Sequence, residues 1–208
     1  MIRSHHRDGL SLLTIDRPDK ANALTADMLR DLRAGVAQAL DSGARALILT
    51  GAGRVFSAGA DLDQARAGLA TAPEWEDLSA ALAALPCLTV AALNGSLAGG
   101  AFGMALACDI RLAVPDARFF YPVMRLGFLP QPSDPARLVA LVGPARARMI
   151  LMAGARIDAP EALAWGLVDR ILHAPDLMDA ARALATDALA ADPAHVATIK
   201  AMTRPSRA

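Results

Sequence analysis

Two short glycine-bearing stretches hold the most suggestive chemistry in this 208-residue chain, Gly59-Ala60-Asp61 and Gly99-Gly100. Each stands where a strand pattern gives way to a helix pattern, a place where backbone N–H groups lack intrahelical partners and point outward. Two such groups converging on one point form an oxyanion hole, which stabilises charge developing on a carbonyl oxygen. On spacing alone the same glycines also suit simple tight turns. An earlier pair, Gly51 and Gly53, follows a strand as a dinucleotide loop would, but the third glycine of that motif falls on Phe56 and removes the reading. Acid–base candidates are few. Asp134 lies in the loop Pro130-Gln131-Pro132-Ser133-Asp134-Pro135, and Tyr121 is the single tyrosine. Each has a plainer role, Asp134 as a helix N-cap before Pro135 and Tyr121 as a strand residue facing away from any pocket. Arg125 carries the charge to hold a substrate carboxylate, although a solvated arginine is the commoner case. Cys87 and Cys108 sit in apolar runs and read as packing, not as nucleophiles. The four histidines, His5, His6, His173 and His195, have no metal-ligand spacing, so no metal site is expected.

The elements that must position these residues follow from periodicity. Leu10 to Ile15 reads as a strand. Thr25 is an N-cap whose helix carries the stripe Leu29, Leu32, Val36 and Ala39, with Leu24 and Leu29 as a staple and Gly43 as its stop. Ala46 to Thr50 is a continuous apolar strand, buried on both faces. A helix around Trp75 to Leu85 precedes a strand Thr89 to Leu93, the turn Asn94-Gly95 and a helix from Gly99-Gly100. Strands Ile110 to Val114 and Arg118 to Tyr121 come next, then helices starting at Asp134-Pro135, at Gly143-Pro144 and over Ala159 to Gly166. A short strand Val168 to Leu172 leads into helices Asp176 to Ala191 and Pro193 to Met202. The alternation predicts an α/β core over residues 1–172 and a helical C-terminal region over 173–208, joined as one structural unit.

Composition narrows the classes. Lys+Arg and Asp+Glu each number 21, giving zero net charge, with 54% hydrophobic and 20% charged residues. That excludes a disordered chain and argues against nucleic acid as a partner. Ala80 to Cys108 is free of charge over 29 residues and contains Gly95, Gly99 and Gly103 at GxxxG spacing. Pro86, Asn94-Gly95 and Gly99-Gly100 interrupt it, so a strand–turn–helix in a water-soluble core is expected and not a membrane span. The N-terminus has no apolar run of the kind a signal peptide needs, so the expected compartment is the cytoplasm.

Four ordered blocks resemble the crotonase superfamily, the enoyl-CoA hydratase/isomerase family. They are Arg17-Pro18 through Asn22-Ala23-Leu24; Gly51 through Phe56-Ser57-Ala58-Gly59-Ala60-Asp61-Leu62; Asn94-Gly95 through Gly99-Gly100 to Cys108-Asp109-Ile110; and Gly154 through Asp158, Glu161-Ala162 and Trp165-Gly166-Leu167-Val168. The resemblance spans roughly Leu10 to Met202. It implies a crotonase-like spiral of ββα units with a helical C-terminal region, assembled as trimers or dimers of trimers, and a site for acyl-coenzyme A thioesters. No separate cofactor is implied, since coenzyme A belongs to the substrate. Carried over position by position, the resemblance puts the oxyanion-hole N–H groups on Ala60 and Gly100. It puts Ala58, Ala60, Asp61 and Leu62 beside the adenine and Ala23 and Leu24 along the pantetheine, and it counts Gly99 and Gly100 among the coenzyme A-binding residues.

The same alignment exposes a gap. Hydratases of the family carry two glutamates that handle water and the Cα proton; here Gly103 and Val123 stand at those places, and Gln131 stands where some members use an aspartate. All three are expected in the acyl pocket, and none exchanges a proton. Loss of a positioned acid or base costs about 10²–10⁴-fold, so two-glutamate hydration is not expected. Asp134 and Tyr121 are the candidates to replace it. Two alternatives stand beside it: decarboxylation of a malonyl-type thioester, with Arg125 orienting the carboxylate, and acyl-CoA binding without catalysis. Family members usually continue past the helix matched here by residues 191–202, so a more open pocket is also expected.

Overall fold

The computed structural model describes residues 1–203. Strands β1 (Ile2–Arg7) and β2 (Leu10–Ile15) form an antiparallel hairpin through Asp8 and Gly9, both at positive φ, as a tight two-residue turn requires. β1 had no sequence signature, because nearly every residue in it is exposed and hydrophobic alternation is lacking. Helix α1 (Ala26–Asp41) begins where Thr25 accepts from the Met28 N–H, and it buries Leu29, Leu32, Val36 and Ala39.

Three successive units then repeat one plan. β3 (Ala46–Gly51) and β4 (Val55–Ser57) precede α2 (Leu62–Arg66) and α3 (Glu74–Ala84). β5 (Leu88–Leu93) and β6 (Ser96–Ala98) precede α4 (Phe102–Ala107). β7 (Ile110–Ala113) and β8 (Arg118–Phe120) precede α5 (Val123–Leu126) and α6 (Asp134–Leu151). The first strand of each unit joins a six-stranded sheet, ordered β1-β2-β3-β5-β7-β10, where β10 is Arg170–Ile171; the second joins a four-stranded sheet, ordered β4-β6-β8-β9, where β9 is Ile157–Asp158. Neighbouring units pair in parallel in both sheets. This is the ββα spiral, with the strand interiors of β3 and β5 buried almost throughout. The strands of the second sheet have only two or three residues each, too few for a period of two to register in sequence.

The chain closes with β9 (Ile157–Asp158), α7 (Ala159–Trp165), β10 (Arg170–Ile171), α8 (Leu177–Ala190) and α9 (Pro193–Met202). α8 buries Leu177, Ala181 and Ala185, and α9 is tied down by Lys200, whose Nζ donates to the Cys87 carbonyl and to Asp109 Oδ2, both at 2.8 Å. The last part of the expected C-terminal region, residues 204–208, lies outside the described residues. Among those described, no helix is long and apolar enough to cross a membrane. The charge-free stretch Ala80 to Cys108 is divided among the end of α3, β5, β6 and α4.

Several local expectations change. The strand expected over Arg118 to Tyr121 stops at Phe120, leaving Tyr121 just beyond it. The strand expected over Val168 to Leu172 shrinks to the two residues of β10. Asp134 is not the N-cap of α6. Ser133 holds that position, and Glu76 on α3 receives both the Ser133 N–H and the Ser133 hydroxyl. The Asp134 side chain is thereby released from capping and turns inward, 1% exposed. At Gly143, φ 78° and ψ 164° break α6 before Pro144, as the Gly-Pro pair predicts.

Candidate active site

The floor of the site is built by two turns in contact. Gly59 follows β4 at φ +90°, and Gly99 follows β6 at φ +56°, conformations that suit glycine. A methyl group on Gly59 would lie 2.9 Å from the Ala98 carbonyl oxygen and 3.4 Å from Gly99 Cα. The two backbones therefore approach more closely than any side chain permits, because β4 and β6 pair in parallel just before them. The residue after each glycine, Ala60 and Gly100, faces one cavity of about 80 Å³. Leu24 donates its N–H to the Gly59 carbonyl and accepts from the Asp61 N–H, both at 2.8 Å, which holds the strand edge on either side of Ala60. Among the described residues, neither the Ala60 N–H nor the Gly100 N–H donates to a protein acceptor.

The block Arg17 to Leu24 is scaffolding for that first turn. Asn22, fully buried at positive φ, donates from Nδ2 to the carbonyls of Ala52 and Val55, and Oδ1 accepts from the Arg17 N–H. The Ser57 hydroxyl donates to the Asn22 carbonyl. Arg17 donates to Asp61 Oδ2 at 2.8 Å and to the Ala23 carbonyl, and this hydrogen bond, with the α2 N-terminal N–H groups, holds the Asp61 carboxyl below its ordinary range. Of the residues expected along the ligand, Ala58 and Leu62 are exposed, while Ala23, Ala60 and Asp61 are half-buried. Leu24 is different: its side chain is fully in the core and its N–H and C=O are both engaged, so it supports the turn from behind.

The walls come from three other elements. Trp75 on α3, buried, donates Nε1–H to the Leu69 carbonyl at 2.8 Å and lays its ring against Gly100, where a methyl group would sit 3.1 Å from the indole. Val123, Leu126, Phe128, Leu129 and Gln131 line the cavity from α5 and the loop after it. Tyr121 completes the wall, stacked on Phe102 with ring centroids 5.3 Å apart. Trp75 had no local motif to mark it, because its role depends on α3 packing across the Gly99-Gly100 turn.

Behind Tyr121 lies the feature with the clearest chemical character. Its hydroxyl donates to Asp134 Oδ2 at 2.9 Å. Asp134 Oδ1 is buried and has no hydrogen-bond partner among the described residues. Burial, more than any other influence, raises the Asp134 carboxyl to about 6, against the opposing pull of the Tyr121 bond and of Arg137. Burial and the neighbouring Asp134 charge push the Tyr121 phenol above its ordinary value. Thus the two acid–base candidates are brought together, and the reading of Tyr121 as a strand residue turned from the pocket does not hold. Gly103 lies directly behind, fully in the core and against Asp134, instead of on the cavity wall. Arg125 does not approach the cavity either. It lines a separate depression with Phe120 and Arg156. Cys87 and Cys108 are buried, which lifts their thiols to about 11 and about 12 and leaves them protonated and inert.

The family model for enoyl-CoA hydratase/isomerase matches residues 5–207. This chain belongs to that family. YngF of Bacillus subtilis, named for the same family, is 38% identical over 207 residues, covering 96% of this chain and 78% of the relative. A carnitinyl-CoA dehydratase from Salmonella arizonae is 37% identical over 94% of this chain and 77% of its own length. The crystal structure of an enoyl-CoA hydratase subunit I from Geobacillus kaustophilus superposes with a TM-score of 0.86, at 32% identity over 98% of this chain and 83% of that one. The spiral described above is therefore the crotonase fold, and the family's business is acyl-CoA processing.

Proposed function

We propose that this crotonase-family protein catalyses proton transfer at the α-carbon of an acyl-CoA thioester, with Tyr121 and Asp134 in place of the glutamates that family hydratases use. In this reading the thioester oxygen lies between the Ala60 and Gly100 N–H groups, which stabilise the enolate in a site shielded by Trp75. Coenzyme A runs out past Ala23, Ala58, Asp61 and Leu62, where small or exposed residues leave room. The Cα–H bond breaks as Tyr121 Oη takes the proton and passes its own to Asp134 Oδ2. The electron pair moves onto the thioester oxygen; with a β,γ-enoyl thioester this gives a dienolate, and return of the proton to Cγ completes an isomerisation.

The observation that carries the reading is the 2.9 Å bond from a cavity-wall phenol to a buried carboxylate with a free oxygen. A carboxylate raised to about 6 is matched to proton transfer near neutral pH. No Asp or Glu lines the cavity among the described residues, which disfavours direct activation of water. No Arg or Lys lines it either, so the carboxylate of a malonyl-type thioester would find no partner, and decarboxylation is the weaker reading. The test is to incubate the protein with enoyl-, 3-hydroxyacyl- and malonyl-CoA esters and follow products by mass spectrometry and deuterium exchange at Cα. Exchange or isomerisation abolished in Tyr121→Phe and Asp134→Asn is the expected result. Tight binding with neither exchange nor conversion would favour a non-catalytic acyl-CoA binder.

A further inference from the structure

Gly103 sits inside α4, where glycine costs about 1 kcal/mol relative to alanine. Its backbone is not in the left-handed region, so helix geometry gives no reason for it. Its surroundings do. A methyl group at this position would stand 2.9 Å from Asp134 Oδ1 and 3.4 Å from Oδ2, with Ser79 Cβ next at 3.5 Å. The carboxylate carried by α6 thus fills the volume that a side chain on α4 would occupy. Oδ2 is fixed by Tyr121, while Oδ1 is unpartnered among the described residues.

We infer that Gly103 is a positioning residue for the Tyr121–Asp134 pair: its missing side chain is what admits an aspartate from the next helical layer to the space beneath Tyr121. The inference rests on the reading of that pair given above. The charged and titratable groups facing Asp134 are Tyr121 from the end of β8, Glu76 from α3 and Arg137 on α6 itself; Arg137 also donates to Ser79 Oγ at 2.9 Å. α4 contributes no polar side chain to this contact, only the space. A methyl group there pushes Oδ1 aside, stretches the Tyr121 bond and adds apolar surface around the carboxyl. The last two changes favour the protonated acid.

The experiment is a double-mutant cycle of Gly103→Ala with Asp134→Asn, together with titration of the Asp134 carboxyl by carbon-13 NMR in the absence of substrate. Gly103→Ala is expected to move that titration upward and to lower kcat tenfold or more with KM changed less than twofold. In the Asp134→Asn background the same substitution is expected to cost nothing further. Equal losses in both backgrounds, or a titration that stays in place, would overturn the inference. If Asp134→Asn turns over normally, the catalytic reading fails, while an upward titration in Gly103→Ala still supports the positioning role. Should Gly103→Ala fail to fold, Asp134→Ala in the same chain frees the volume. Recovery of the fold then supports the contact, and continued unfolding counts against it.

Discussion

Asp109 and Asp134 are both aspartates at the junction of a helix and the core, and they are treated in opposite ways. Asp109 Oδ2 receives the Thr89 N–H at 2.8 Å, the Thr89 hydroxyl at 2.9 Å and the Lys200 ammonium at 2.8 Å, and its side chain keeps 31% exposure. Next to it, buried Arg111 donates to the Leu167 and Cys108 carbonyls and pairs with Asp169. Asp134, 1% exposed, has a single donor, a phenol, and one oxygen with none among the described residues. A buried polar group left short of partners is costly, so an acid with several donors and access to water reads as scaffold, and a buried acid with one donor marks a candidate functional group. The contrast separates two acids that look alike in the chain.

The largest effects should come from the under-satisfied pair. Tyr121→Phe and Asp134→Asn are expected to lower turnover by about 10²–10⁴-fold with the fold intact, measured as kcat beside a thermal melt. In the unaltered protein, kcat/KM should fall about tenfold per pH unit below about 6, because the proposed relay needs Asp134 ionised and burial raises its carboxyl to about 6. A flat profile from pH 5 to 8 would remove Asp134 as the proton acceptor.

The scaffold side should respond in stability alone. Arg111→Met leaves the Leu167 and Cys108 carbonyls without a donor and is expected to cost about 3 kcal/mol in urea unfolding, with activity per folded molecule retained. Asp134→Asn should do the reverse. A carboxyl raised from 3.8 to about 6 by folding contributes stability that is present at low pH and lost as pH rises through about 6. The amide should therefore stabilise the fold by about 1–3 kcal/mol at pH 8 and by little at pH 4. The smallest effect is expected from Lys200→Met, which frees α9 from Asp109 and the Cys87 carbonyl at about 1 kcal/mol, without change in turnover. Loss of activity there, measured at full folding, would mean that the two networks communicate.

Much of this molecule was legible in its sequence. The apolar run of β3, the Thr25 cap, the helix stripe of α1 and the Gly143-Pro144 break are local signals, and the structure has each where expected. The ordered glycine blocks identified the family and, with it, the spiral. What was not legible depends on distance. Asp134 looked like an N-cap because capping is a local preference, yet Glu76, 57 residues from Ser133, takes over that duty and frees the aspartate. Tyr121 looked like an outward strand residue because the end of an extended pattern carries no marker, yet it stacks on the core ring of Phe102 and lines the cavity. Trp75 had no motif at all.

The sequence by itself determined the elements, their order and the two glycine turns, since each depends on backbone preferences and periodicity within a few residues. It also determined that positions 103 and 123 hold no acid. Only the tertiary structure decided which acid lies against position 103. Packing α6 across α4 brings the Asp134 carboxylate against a glycine and beneath a phenol, and burial there sets its proton affinity. Proton affinity at such a site depends on solvent exclusion and on neighbours from other elements, so no reading of adjacent residues contains it.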